Sequence, residues 1–390
     1  MTPSEIKIGL LWHSPNSGNL GVGALTLANM AIVRGVAESM GLSPKFTLIA
    51  MHEGMKPYVS AAEADLTVVT TRTMVDPRGC WATLRRQDCT LDIGGGDSFT
   101  DIYSSKRYAF IWATKALAIA ARRPLMLCPQ TIGPFSRQPH MALAAYAVRH
   151  AEVVVARDRA SVAATHALAP GARCVLSADV AFALPFESQA HLRGGKSLRV
   201  GINVSGLLFN EAVAGTNRFG LDANYADLTR QLLSWLHEMD AEVHLFTHVT
   251  TDQPWDDDGR VTDQVAAEFP WAIRVPDFAG PSQAKSYISG LDFVVSGRMH
   301  ACIAAVSSGT PVAPIAYSRK FSGVFGVVGY PWLIDTAGKT TAEALAYIQD
   351  CIGRRDELAN DCATALDRAG PLLDAYRNEL RDFFAKSLRR

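Results

Sequence analysis

The sequence predicts an α/β protein built from two doubly wound, parallel-sheet domains. Three observations predict it. Short apolar runs alternate with amphipathic stretches along nearly the whole chain, and alternating strand and helix implies parallel sheets with crossover helices. The alternation pauses once, at the polar, glycine-bearing residues 191–197, and then restarts. The length of 390 residues suits two or three domains at about 150 residues each. The expected division is a first domain over 1–190, a second over 197–355 and a terminal helix over 356–390.

The elements follow in order. Residues 6–12 read as a buried strand, 13–23 as a polar, glycine-rich loop, and 24–40 as a helix closed by Gly41. Strands follow at 46–51, 66–70 and 90–93. The last of these runs into Gly94, Gly95 and Gly96. A helix over 108–122 leads to a strand at 124–128, a helix at 139–150, a strand at 153–156 and a helix at 161–168. After the linker come a strand at 198–204 and a helix at 225–239. Strands at 242–247, 273–275 and 293–295 alternate with helices at 263–269 and 283–290. A helix at 299–308, a strand at 312–317 and helices at 341–352 and 356–387 complete the chain.

Composition narrows the function classes. Lys plus Arg and Asp plus Glu both number 38, so the chain lacks the global basic field of a typical nucleic-acid binder. Charged residues make up 19% and hydrophobic ones 48%, which excludes global disorder. The seven cysteines stand singly with no CxxC pair, against a disulfide framework or a cysteine-rich zinc site. The N-terminus does not read as a signal peptide. The uncharged stretch 299–317 is broken by Gly309 and Pro311 and contains His300, so it reads as helix, turn and strand rather than a membrane span. The expectation is a cytoplasmic protein.

Ligands of doubly wound sheets bind outside the carboxyl ends of the strands, so the loops after strands are the candidate chemistry. Residues 16–23 offer glycines and a helix N-terminus to an anion, with Asn19 and Gly21 as candidates. The spacing is neither a Walker A loop nor GxGxxG, and a plain strand-to-helix turn is the alternative. Gly94 to Gly96 imply close approach by backbone or ligand, and Gly95, Gly96, Asp97 and Ser98 are the candidates there. A close-packed turn is the alternative. The proline-bounded loop 129–134 is stiff enough to hold Gln130 or Thr131 toward a cleft. Arg157 emerges after the strand at 153–156, where an anion would sit, or else pairs with Asp158. Asp179 reads equally as a cap or as a site residue. The strongest pattern is Ser296-Gly297-Arg298-Met299-His300 at a strand-to-helix turn. An arginine recognises phosphate or carboxylate bidentately, and a histidine transfers protons near neutral pH. Arg319 and Lys320 end the next strand and add two cations. His244 and His248 lack a third metal ligand, and Asp256 to Asp258 read as a solvated loop. No metal site is expected.

These loops, in this order, resemble the polysaccharide pyruvyl transferase family. The resemblance rests on residues 19–25, 94–97, 129–134, 156–158, 179–182, 297–300 and 315–320 and covers about residues 6–335. It implies a glycosyltransferase B-like architecture of two Rossmann-like domains facing across a cleft. The first domain would form the acceptor side and part of the donor cleft, the second would hold the donor, and the last helix would pack back on the first domain. It also implies transfer of pyruvate from phosphoenolpyruvate to two hydroxyls of a sugar, giving a cyclic ketal and inorganic phosphate. The acceptor would be an exopolysaccharide or cell-envelope saccharide, in many relatives on a lipid carrier, which leaves room for peripheral contact with a membrane. Phosphoenolpyruvate is then a co-substrate, and no cofactor is expected.

Phosphoenolpyruvate carries a carboxylate and a phosphate and needs several cations. Arg157, Arg298 and Lys320 are the candidates, with Gly297 and Tyr317 completing the donor-binding set. His300 and Arg298 are the catalytic candidates, and His300 acts either as the general acid or as a phosphate clamp. Residues 207–219 follow a strand and are candidates for acceptor contact. The alternative function is a sugar-nucleotide-dependent glycosyltransferase of the same fold.

Overall fold

Apolar, β-branched runs such as Val153–Ala156 are buried along their full length, as strands covered by helices on both faces must be. The computed structural model describes residues 4–389 and contains two compact units. The first comprises residues 4–17, 25–183 and 369–389, and the second 18–24 and 184–368.

The first unit holds strands β1 (Ser4–Leu11), β2 (Leu42–Ala50), β3 (Ala64–Val68), β4 (Cys89–Asp92), β5 (Leu125–Gln130), β6 (Val153–Ala156) and β7 (Cys174–Leu176). They form one sheet in the order β3-β2-β1-β4-β5-β6-β7. Every pairing is parallel, with Ile8 beside Phe46 on one flank of β1 and Leu10 beside Leu91 on the other. The second unit holds β8 (Arg199–Asn203), β9 (Glu242–Phe246), β10 (Ile273–Arg274), β11 (Phe293–Ser296), β12 (Val312–Ala316) and β13 (Ile334–Asp335). Their order is β10-β9-β8-β11-β12-β13, again all parallel. In each sheet the strand order reverses beside the first strand. The crevices of the two sheets therefore open after β1 and β4, and after β8 and β11.

The structure moves the division between units. It falls after Ala183, not at 191–197. Residues 191–197 are polar because they are stapled to the second unit by hydrogen bonds. Arg193 donates to the carbonyls of Ser289, Ser308 and Gly309 and to Thr310 Oγ1, and Gly194 N donates to Asp292. The terminal helix Arg355–Ser387 belongs to the second unit through residue 368 and to the first from residue 369. Its first part is held by Trp332 Nε1 donating to Asp361, and its last part by Tyr376 Oη donating to Asn29.

The first helix spans Leu20–Ser39, one turn earlier than the pattern predicts. Gly21 and Gly23 have poor helix propensity, but Asn19 Oδ1 caps Gly21 N and Leu20 N donates to the His248 carbonyl. Tertiary hydrogen bonds thus outweigh propensity. Among the described residues this helix is the one long and apolar enough to cross a membrane by length and composition, and 72% of its apolar window is buried in the protein. The stretch 299–317 is helix Met299–Ser307, a turn, and β12. Helices Gly206–Val213 and Arg319–Val328 add two elements to stretches where the sequence pattern assigns none.

Candidate functional site

In the first unit the site is built on the turn after β4. Gly94, Gly95 and Gly96 all have positive φ, at 55°, 57° and 87°, which L side chains rarely adopt. A Cβ on Gly96 would lie 2.5 Å from Leu25 and 3.4 Å from Arg157 Nη1. Beneath the turn, Lys115 Nζ contacts Asp92 at 2.9 Å with both side chains fully buried. Burial pushes the Asp92 carboxyl up and the Lys115 ammonium down, and their contact opposes both shifts. Asp92 Oδ1 also accepts Gly94 N at 2.7 Å.

The neighbouring strand ends brace this turn. Gln130 is fully buried, and its Nε2 donates to the Asp92 carbonyl at 2.7 Å. Thr131 N donates to the Gly96 carbonyl, and its hydroxyl accepts from Arg157 Nε at 2.9 Å. Both side chains are buried, engaged with these neighbouring strand ends. Arg157 is also turned inward. It is 1% exposed and pairs through Nη1 with Asp179 at 2.6 Å. Its partner is therefore Asp179 rather than Asp158, which caps the helix Arg159–Leu168. Asp179 caps as well, accepting Ala181 N at 2.9 Å. Asp97 accepts from Tyr103 Oη, and Ser98 accepts from Arg107.

In the second unit the site is built on the turn after β11. Ser296 Oγ donates to Asn203 Oδ1 and accepts Arg298 N, both at 2.9 Å. Gly297 packs against Leu208 and Ser205. Arg298 is 8% exposed. Its Nη2 donates to Asp258 and Asp256 at 2.7 Å each, and its Nε donates to Asp258 at 3.1 Å. Burial opposes the Arg298 charge, but Asp258 and Asp256 overcome it and hold the guanidinium above its ordinary range.

Asp258 is fully buried and also accepts Gly206 N, Asn203 Nδ2, His248 N and Val249 N. Asp257 caps the helix Asp258–Glu268. The three aspartates are thus the scaffold of the turn, not a solvated loop. The sequence signal was available as a helix cap before an apolar-periodic stretch, but an acidic run outweighed it.

His300 lies in the first turn of the helix Met299–Ser307, half-buried. A Cβ on Gly21 would lie 2.7 Å from its Cγ, so the ring sits on the first turn of the helix Leu20–Ser39. His248 is buried nearby, and burial, with His300 and Arg298, lowers its pKa to about 3. Tyr317 adds to the electrostatics of Arg298 and packs edge-on to Phe219 at 5.0 Å. Arg319 and Lys320 open the helix Arg319–Val328. The structure thus gathers Gly21, His248, Asp258, Gly297, Arg298 and His300 around one turn, with Asn19 capping the helix that carries Gly21. His244 instead pairs with Tyr287 and Glu242. Among the described residues no group of three or more His, Cys, Asp or Glu is placed to hold a metal ion.

Comparison with known proteins agrees with this layout. Solved structures with the same fold include MnaA of S. aureus with UDP, 12% identical with a TM-score of 0.57 over 94% of this chain and 92% of that one. HepE of Anabaena with UDP-glucose is 14% identical with a TM-score of 0.55 over 98% and 99%. Sucrose-phosphate synthase of Thermosynechococcus elongatus is 10% identical with a TM-score of 0.58 over 98% and 99%. The architecture is glycosyltransferase B-like, and at these identities the likeness concerns the fold alone. In sequence, the chain is 20% identical over 306 residues to the amylovoran biosynthesis protein AmsJ of Erwinia amylovora, covering 73% of this chain and 70% of that protein. The profile of the family described as polysaccharide pyruvyl transferase matches residues 45–319. That match spans more than half of the sequence and includes the turns after β4 and β11, and the chain belongs to the polysaccharide pyruvyl transferase family.

Proposed function

We propose that the protein transfers pyruvate from phosphoenolpyruvate to two hydroxyls of one sugar residue in a polysaccharide or its lipid-linked precursor. The observation that carries this reading is the seat of His300. It stands in the first turn of its own helix and against the first turn of the helix Leu20–Ser39. Helix N-termini favour anions, so a histidine there is suited to meet a phosphorylated enol. Lys320 lies in the first turn of a third helix, where its ammonium would serve as a cation for the donor. Arg298 is committed to Asp258 and Asp256, so its part is to fix the turn that presents His300. Arg157, committed to Asp179 and Thr131, supports the glycine turn from below.

The chemistry balances without a cofactor. A proton from His300 adds to the methylene carbon, and C2 becomes electrophilic. One sugar hydroxyl attacks C2 and loses its proton. Phosphate then leaves, and the second hydroxyl attacks and loses its proton, closing the ketal. Of the two protons released, one restores His300 and the other leaves with phosphate. General acid catalysis of this kind contributes about 10²–10⁴-fold.

Thermal stabilisation by candidate donors tests the reading, since a ligand of the folded state raises its stability. Phosphoenolpyruvate should raise the unfolding midpoint, and UDP-glucose should not. The reverse result would replace this reading with a sugar-nucleotide-dependent transferase.

A further inference from the structure

We infer that the pocket at the carboxyl ends of β12 and β13 is a subsite for a neutral saccharide. The inference rests on the proposed transfer only in that the saccharide is then the acceptor. The pocket has a volume of about 330 Å³ and is lined by Phe219, Tyr317, Ser318, Arg319, Ser322 and Asp335, among others. That volume lies in the range of small-molecule sites. Its place is where a doubly wound sheet receives ligands, outside the carboxyl ends of the strands. β12 ends at Ala316 and β13 at Asp335, and both residues line it.

The lining has the chemistry of sugar recognition. Phe219 and Tyr317 form an edge-to-face pair, 5.0 Å between ring centroids. An aromatic face packs against the C–H face of a pyranose, while its hydroxyls need acceptors and donors at the ring's edge. Ser318, Ser322 and the Asp335 carboxylate supply those. Asp335 Oδ1 accepts Ala337 N at 3.2 Å, and a carboxylate has acceptor sites beyond one such bond.

An adjoining pocket of about 200 Å³ shares Phe219 and Leu221 and is also lined by Asn217, Asp222 and Asn224. The pair suits two consecutive sugar residues of a repeating unit. The Arg319 guanidinium and the carboxylates of Asp222 and Asp335 offer donors and acceptors of both charges, which a neutral polyhydroxyl ligand can use together.

Saturation-transfer NMR on the whole protein tests the assignment, with methyl glucopyranoside, galactopyranoside and mannopyranoside and the corresponding disaccharides as probes. At least one neutral probe should receive saturation. Phe219→Ala should weaken it about tenfold, the size of one aromatic contact. Phe219→Tyr should restore it, and Asp335→Asn should weaken it while the unfolding midpoint holds. Saturation unchanged in Phe219→Ala and Asp335→Asn would overturn the assignment. So would saturation of UDP-glucose alone, or of no probe. Stabilisation by phosphoenolpyruvate, measured on the same samples, is independent. Its absence beside intact sugar binding would refute the transfer and leave the subsite standing.

Discussion

The His300 ring fills the space that a side chain at position 21 would need: a Cβ on Gly21 would lie 2.7 Å from the ring's Cγ. The glycine is therefore required by close approach, and its φ is not in the left-handed region. Gly21→Ala should displace the ring. A shift of about 1 Å at a catalytic group costs on the order of 10²-fold in rate. The control is Gly35→Ala in the same helix, where a Cβ meets nothing within 4 Å. It should leave activity intact and stabilise the helix by about 0.5–1 kcal/mol. Steady-state rates of the two variants make the comparison, and equal activity would refute the seat assigned to His300.

The buried pair Arg157–Asp179 is predicted to be structural. Breaking it from one side leaves an uncompensated buried charge, which costs about 3–5 kcal/mol. Arg157→Met and Asp179→Leu should each lower the denaturant midpoint strongly, and the double variant should lose much less than the sum. Additive losses would show that the two side chains act separately.

Acid should destabilise the protein through His13 and His248. Burial lowers His13 to about 4, against the Leu11 carbonyl that raises it, and lowers His248 to about 3. Both values lie below the ordinary histidine value of 6.5, so the unfolded chain binds protons more readily. Stability is complete above about pH 6.5 and falls as pH drops toward the folded values. Each histidine should withdraw about 2 kcal/mol by about pH 5. Urea midpoints across this range are the measurement. His13→Gln should flatten the slope, and an unchanged slope would contradict the assignment.

His300→Ala separates the two roles of that residue. If His300 supplies the proton, kcat should fall about 10²–10⁴-fold with the donor KM nearly unchanged. If it clamps the phosphate, the donor KM should rise with kcat preserved.

Much of this organisation is legible in the sequence. The two runs of alternating strands and helices follow from buried β-branched segments such as Val153–Ala156. The glycine turn after β4 and the Arg298–His300 turn after β11 follow from their positions at strand ends. What the sequence hides is the direction of side chains. Arg157 at a strand end reads as an anion ligand, yet Asp179, 22 residues later in the chain, takes its guanidinium inward. Asp258 reads as solvated, yet it carries the bonds that hold Arg298, Gly206 and Val249. Partners so distant in sequence leave no periodic trace. The first turn of Leu20–Ser39 is hidden for a related reason, since its stability comes from the 248–249 backbone rather than from propensity.

The most direct test of the central claim is phosphate release from phosphoenolpyruvate with a panel of pyranoside acceptors, the product being followed by mass spectrometry. The account predicts phosphate release that depends on one acceptor, with the matching cyclic ketal as product. Transfer of a glycosyl group from a nucleotide sugar to the same panel, with phosphoenolpyruvate inert, would contradict it.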